Sequence, residues 1–264
     1  MKNILVPIGV SKHAKETLQY ALTIATKFKS TIYAVDAYPI HTSTTSIINV
    51  KARLEDENYH RIVEMVSDLG ESAKEIKIVR SKSDLIGTIK ELQRTLGLDL
   101  IVVAPLSNDM DNEIFLGPIS GSIIKRTTIP VLVAPLGKSF QPPSNILMAF
   151  KDGQVKEIST LKALTHFQDQ FKAKLNLLLV KVPGFSHRNH RISDQITSRS
   201  EGLKFSENGT VYQGVLEHFQ AYQPDLLVVF KRDRGFFEKL WETDLVYKKD
   251  FYCTIPLLVL KNQE

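Results

Sequence analysis

The chain alternates short apolar runs with segments whose apolar residues recur at helical spacing, and this alternation predicts its elements. Asn3–Pro7 is an apolar run, after which Ala14, Leu18, Ala21, Leu22, Ala25 and Phe28 form one helical face, with Ser11 as the expected N-cap. Thr31–Val35 is β-branched and apolar enough for a strand buried on both sides. A second helix carries Ile62, Val63, Val66 and Leu69, and a third strand covers Glu75–Val79. Asp84 is placed to cap a helix whose Leu85, Ile89, Leu92 and Leu96 face inward and whose end is marked by Gly97. The strand Asp99–Val103, a loop, a helix over Pro118–Arg126 and a strand over Val131–Ala134 follow. Strands and helices in strict alternation, with continuous apolar strands, argue for a parallel sheet covered by helices on both faces. Right-handed crossovers and one reversal of strand order place a crevice at the strand carboxyl ends.

The pattern occurs twice. Asp99-Leu-Ile-Val-Val103 recurs as Asp225-Leu-Leu-Val-Val229, and Thr128–Val133 recurs as Thr254–Val259, both at an offset of 126 residues. Asn3–Pro7 recurs as Asn145–Ala149 at an offset of 142, so the first copy carries 16 more residues in its middle. The second copy repeats the plan with a strand over Asn145–Phe150, a helix through Ile158, Leu161, Leu164 and Phe167, and a strand over Leu175–Val180. Its polar stretch Pro183–Lys204 has no helical period and is expected to be a loop or a short helix. The expected division is a first domain over 1–137, a Pro/Gly/Ser-rich linker over 138–144 and a second domain over 145–264. The fold class is therefore α/β, two tandem flavodoxin-like (Rossmann-like) domains, each with a five-stranded parallel sheet and helices on both faces.

Composition changes this picture little. The chain of 264 residues is 43% hydrophobic and 24% charged, as expected of a folded globular protein. No apolar run approaches the roughly 18 residues that span a bilayer, and no secretory core follows Met1, so a cytoplasmic protein without a membrane partner is expected. Cys253 is the single cysteine, which excludes an internal disulfide and a multi-cysteine metal site and makes a packing residue the expected role. The net charge of +5, from 34 basic and 29 acidic residues, is interleaved, and no nucleic-acid partner is expected.

Lys2-Asn-Ile-Leu-Val-Pro7, Asp99–Val103, Leu116-Gly117 opening a helix and Ile129–Val133 together resemble the universal stress protein family in a tandem form spanning the chain. Nucleotide-binding members of that family carry a G-x2-G-x9-G-[S/T] loop, whose glycines let backbone amides approach phosphates. The resemblance places those positions on Ala104, Ser107, Gly117 and Pro118, so one glycine survives and Pro118 removes a hydroxyl and an amide. As structure, proline is favoured at the first helical position. The family's adenosine-contacting acid is replaced by Gly9. In the second copy the four positions are Phe230, Asp233, Thr243 and Asp244, which fill and repel where phosphates belong.

The resemblance thus implies a candidate ligand or nucleotide crevice of Ile8, Gly9, Val35, Val103, Ala104, Ser107, Gly117, Ile119, Ser120 and Ser122. The expected function is a non-catalytic stress-response module that senses a small-molecule ligand or engages a protein partner, with a degenerate nucleotide-binding motif and no catalytic residues. The alternative is an adenine-nucleotide protein holding ATP or AMP in the first copy, with slow or no ATPase activity. A hydrolase or transferase reusing the crevice is disfavoured, because no nucleophile elbow, P-loop or dinucleotide fingerprint occurs. The copies are expected to form an intramolecular pseudo-dimer through the last strand of each, with a homodimer as a further candidate. His187 and His190 with Asp194 lack a third fixed ligand, so solvated side chains and no metal are expected there. Asp152-Gly153 is expected to be a turn, Lys231–Arg234 a solvated loop, and Gly235–Trp241 a packed amphipathic element.

Overall fold

Four parallel strands, paired edge to edge, carry the first part of the chain. The computed structural model describes residues 1–9, 11–37, 48–70, 73, 76–80, 84–106, 112–151, 153–155, 157–183, 192–231 and 244–261. Two compact units emerge, one of Met1–Ala104 with Leu136–Phe140, the other of Pro105–Pro135 with Gln141–Glu264.

In the first unit β1 (Asn3–Ile8), α1 (Ala14–Phe28), β2 (Thr31–Asp36), α2 (Ile48–Ser67), β3 (Ile76–Val79), α3 (Leu85–Leu96) and β4 (Leu100–Val103) follow in that order. Strands β1, β2 and β4 are largely buried apolar runs, as crossover helices require, and edge strand β3 buries only Ile76 fully; α1 packs against β1 and β2, and α2 against β2 and β3. Asp84 accepts from the Gly87 amide at 2.9 Å, and Gly97 closes α3 in the left-handed region at φ 68°. The chain winds outward from β1 to β3 and returns to the other side of β1, so the order reverses between β1 and β4.

The second unit holds β5 (Ile114–Leu116), α4 (Pro118–Arg126), β6 (Val131–Val133), β7 (Asn145–Phe150), a 3-10 turn (Ile158–Leu161), α5 (Lys162–Phe171), β8 (Lys174–Lys181), α6 (Asp194–Thr197), β9 (Gly202–Glu207), α7 (Val211–Tyr222), β10 (Leu226–Lys231), β11 (Val246–Tyr247) and β12 (Leu257–Lys261). Strands β12-β10-β7-β8-β9 are parallel and reverse their order between β7 and β10. The last strands of the two copies meet here: β6 runs antiparallel to β12, with Val133, Leu132 and Val131 opposite Leu257, Leu258 and Val259. A separate antiparallel pair joins β5 to β11.

Several expectations need correction. The N-cap of α1 is His13, and Ser11 instead accepts the His13 amide through Oγ at 3.2 Å and the Ala14 amide through its carbonyl at 3.0 Å. Leu96, the last residue of α3, is 37% exposed and does not face inward as expected. Ile158 is 69% exposed in a 3-10 turn, so the inward stripe of α5 begins only with Leu161, Ala163 and Leu164. The polar stretch to Lys204 contains α6 and runs into β9, a strand whose polar outer residues conceal it because it pairs on one side only. Among the described residues no helix is long and apolar enough to cross a membrane.

Candidate functional site

The reversal between β1 and β4 puts Ile8 and Val103 at the carboxyl ends of neighbouring strands, the place where an open α/β sheet takes its ligand. Both side chains are buried, Val35 is buried in β2 opposite Pro7, and Gly9 and Ala104 are half-buried where the chain leaves the strands. The Ile8 carbonyl is already taken, accepting from the Ala37 amide at 2.8 Å. At the same edge stands Asp36, half-buried as the last residue of β2 and the register partner of Ile8. Apolar content closes that strand at Val35, which is why the sequence does not single this carboxylate out.

Gly117, Ile119, Ser120 and Ser122 belong to the second unit, on the cap and first turns of α4, and Ser107 lies outside the described residues. Gly117 adopts φ −75° and ψ 177°, extended backbone open to any residue, so it does not supply the left-handed turn expected of a phosphate-loop glycine. A Cβ there would meet Leu106 Cδ1 at 3.1 Å. Pro118 at N1 leaves Ile119 and Ser120 as the first amide donors of the helix. Ser120 is buried and Ser122 half-buried.

The tighter glycine is Gly121. A Cβ on it would lie 2.1 Å from the Asp244 carbonyl oxygen, so only glycine admits this chain crossing. The Asp244 carboxylate pairs with Arg126 at 2.8 Å and faces Lys125 at 3.7 Å. Behind it Phe115, Tyr212, Phe251 and Tyr252 form an aromatic cluster, with Tyr212 and Phe251 centroids 4.8 Å apart. Burial pushes the Tyr212 phenol up despite its hydrogen bond to the Tyr252 carbonyl. Cys253, also buried, donates to the Ile255 carbonyl at 3.3 Å.

At the second copy's own reversal point Phe150 ends β7 and Phe230 stands near the end of β10, both buried. A Cβ on Gly153 would meet Ile192 at 2.9 Å and Phe150 at 3.0 Å, and Ser193 Oγ accepts the Val155 amide at 2.8 Å. The polar middle region therefore seals the loop that follows β7, a role its composition does not announce. Lys231 bonds the Lys125 carbonyl at 3.0 Å, so this residue is no solvated loop cation. The other residues of Lys231–Arg234, with Asp152, His187, His190, Asp233, Thr243 and Gly235–Trp241, lie outside the described residues. Among the described residues no group of three His, Cys, Asp or Glu side chains is placed to hold a metal.

The universal stress protein family model matches residues 1–135. A comparison with curated proteins gave no match. Among solved structures, a universal stress protein from Archaeoglobus fulgidus is 14% identical, covers 98% of this chain and 96% of its own, and superposes with a TM-score of 0.63. A putative universal stress protein from Pseudomonas aeruginosa is 19% identical, with coverages of 99% and 93% and a TM-score of 0.56. A functionally unknown protein from Pseudomonas aeruginosa is 18% identical, with the same coverages and a TM-score of 0.56. At these identities the likeness shows the fold.

Proposed function

The chain belongs to the universal stress protein family, and from that premise we propose that it is a tandem pair of universal-stress-type halves acting as a non-catalytic stress-response module. It senses a ligand or engages a protein partner through strand-end crevices whose phosphate chemistry has decayed. Residues 1–137 and 145–264 are the two halves, 138–144 the linker, and β6 with β12 the seam of an internal pseudo-dimer in the cytoplasm.

The observation that carries this reading is the start of α4. Gly117 sits in ordinary extended backbone and Pro118 withholds an amide at N1, so among the described residues the helix start offers neither a left-handed glycine at its cap nor the N1 donor that would help hold a phosphate. Phe150, at the end of β7, and Phe230, the residue before the end of β10, flank the second copy's reversal point and are apolar and buried, which favours the same conclusion for that half.

One observation favours the second reading, an adenine nucleotide such as ATP or AMP held in the first copy. Asp36, at the carboxyl end of β2 beside Ile8, is a carboxylate where a ribose hydroxyl would find an acceptor. Ile8, Gly9, Val35, Val103 and Ala104 are the other groups of the first unit that this reading uses, and the family resemblance adds Ser107, Gly117, Ile119, Ser120 and Ser122. Calorimetric titration of the full chain with Mg-ATP, ADP and AMP separates the two. Absence of binding heat is expected; stoichiometric binding at micromolar affinity or better, weakened by Asp36→Asn, moves the chain to the nucleotide reading.

A further inference from the structure

The last turn of a helix offers carbonyl groups that have no partner within the helix, and its dipole makes that end an electronegative target. In α4 two of these carbonyls are met by lysines from far along the chain. Lys231 Nζ donates to the Lys125 carbonyl at 3.0 Å, and Lys261 Nζ donates to the Ile124 carbonyl. Lys231 ends β10, Lys261 ends β12, and the two are register partners, so their ammonium groups arise side by side at the carboxyl edge of the sheet. Lys261 is only 7% exposed, and a buried ammonium without acceptors is costly enough that its bonding is a requirement of the fold. Two further contacts fasten the same helix. Arg126 pairs with Asp244, and the Asp244 carbonyl fills the space left by the missing side chain of Gly121.

We propose that the second copy serves as the receptor for α4: Lys231 and Lys261 form a cationic seat at the carboxyl ends of β10 and β12, and the seat is occupied by the helix C-terminus of the first copy. The retained edge of the second half is thus an internal binding surface, whose ligand is a pair of peptide carbonyls. This inference does not rest on whether the first copy binds a nucleotide.

Hydrogen exchange read by mass spectrometry on the full chain tests it. Lys231→Met combined with Lys261→Met keeps the apolar stems and removes both ammonium groups. Amides of residues 118–126 are expected to exchange roughly ten- to a hundredfold faster, the range set by losing charge-assisted hydrogen bonds. Amides of α1 and α7 are expected to hold their rates, and Lys→Arg at both positions is expected to restore most of the α4 protection. Unchanged exchange in 118–126 overturns the proposal, as does an equal acceleration of all three helices, which marks a general loss of stability instead of release from a seat. Should the double variant not fold, Lys231→Met alone carries the same test, because its ammonium is only half-buried.

Discussion

The two copies keep the same frame and put opposite things on it. Asp99 Oδ2 accepts the amides of Lys2 and Asn3 at 2.6 and 3.3 Å, and Asp225 Oδ2 accepts the amides of Ser144 and Asn145, both at 2.9 Å, so one carboxylate ties the first strand to the fourth in each copy. Asp84 and Thr210, 126 residues apart, cap α3 and α7, and Gly97 and Gln223, again 126 apart, close them in the left-handed region. At the reversal points the copies part. Ile8 and Ala104 in the first copy correspond to Phe150 and Phe230 in the second. The stretch that makes α4 in the first copy makes β11 and a turn in the second. The frame depends on a few caps and clasps that keep their positions and roles even where the residue changes, whereas the strand ends are free to trade a ligand for side chains of the protein itself.

The largest test breaks the crossing that this divergence created. Gly121 corresponds to Tyr247 in the second copy, so a large side chain is tolerated at one position and excluded at the other by the Asp244 carbonyl. Gly121→Val is expected to lower the unfolding free energy by about 3 kcal/mol, through the displacement needed to relieve the overlap. Urea unfolding checks this, and an unchanged midpoint would show that the Asp244 backbone does not lie against α4.

A smaller effect is expected at the shared clasp. Asp225 accepts three bonds, including one from Ser144 Oγ at 2.6 Å. Partial burial on its own would raise the Asp225 pKa, but the bonds from Ser144 and Asn145 outweigh it and hold the carboxyl below its usual 3.8. A depressed carboxylate contributes stability that is complete above 3.8 and is lost as pH falls through its lower folded value. Asp225→Ala is expected to cost about 1–2 kcal/mol near neutral pH, discounted for solvent exposure. It should also flatten the acid limb of the stability curve below 3.8. An acid limb as steep as that of the unsubstituted chain would remove Asp225 from the clasp.

The smallest test sharpens the comparison of caps. Gln223 bears the left-handed conformation, φ 41° and ψ 57°, that Gly97 adopts without a Cβ penalty. Gln223→Gly is expected to raise stability by about 0.5 kcal/mol, the net of relieved strain and added chain entropy. Gly97→Gln is expected to lower it by about 1 kcal/mol. Thermal unfolding of the two variants in parallel distinguishes the signs.

Much of the frame was legible in the chain. Apolar periodicity predicts α1, α3 and the buried strands, and Asp84 and Gly97 predict both ends of α3, because each of these signals acts within a turn or two of where it is read. The edge strand β9 escapes because half-exposed strands carry mixed residues, and Ile158 misleads because an apolar residue at helical spacing need not lie in a helix. Of the candidate crevice, the Ile8 and Val103 strand ends follow from the strand-order argument, while Asp36 is overlooked as a polar end to an apolar run.

The sequence by itself determines the order of the main strands and helices, their duplication and the caps of α3, since these rest on patterns and interactions between residues close in the chain. Only the tertiary structure decides what occupies the strand ends. The Arg126–Asp244 and Lys261–Ile124 contacts join residues 118 and 137 positions apart, and Gly121 is read as a helix residue until the Asp244 carbonyl is seen beside it. A lysine at a strand end reads alike whether it faces solvent, a phosphate or a helix carbonyl, because its charge is local and its partner is supplied by the fold.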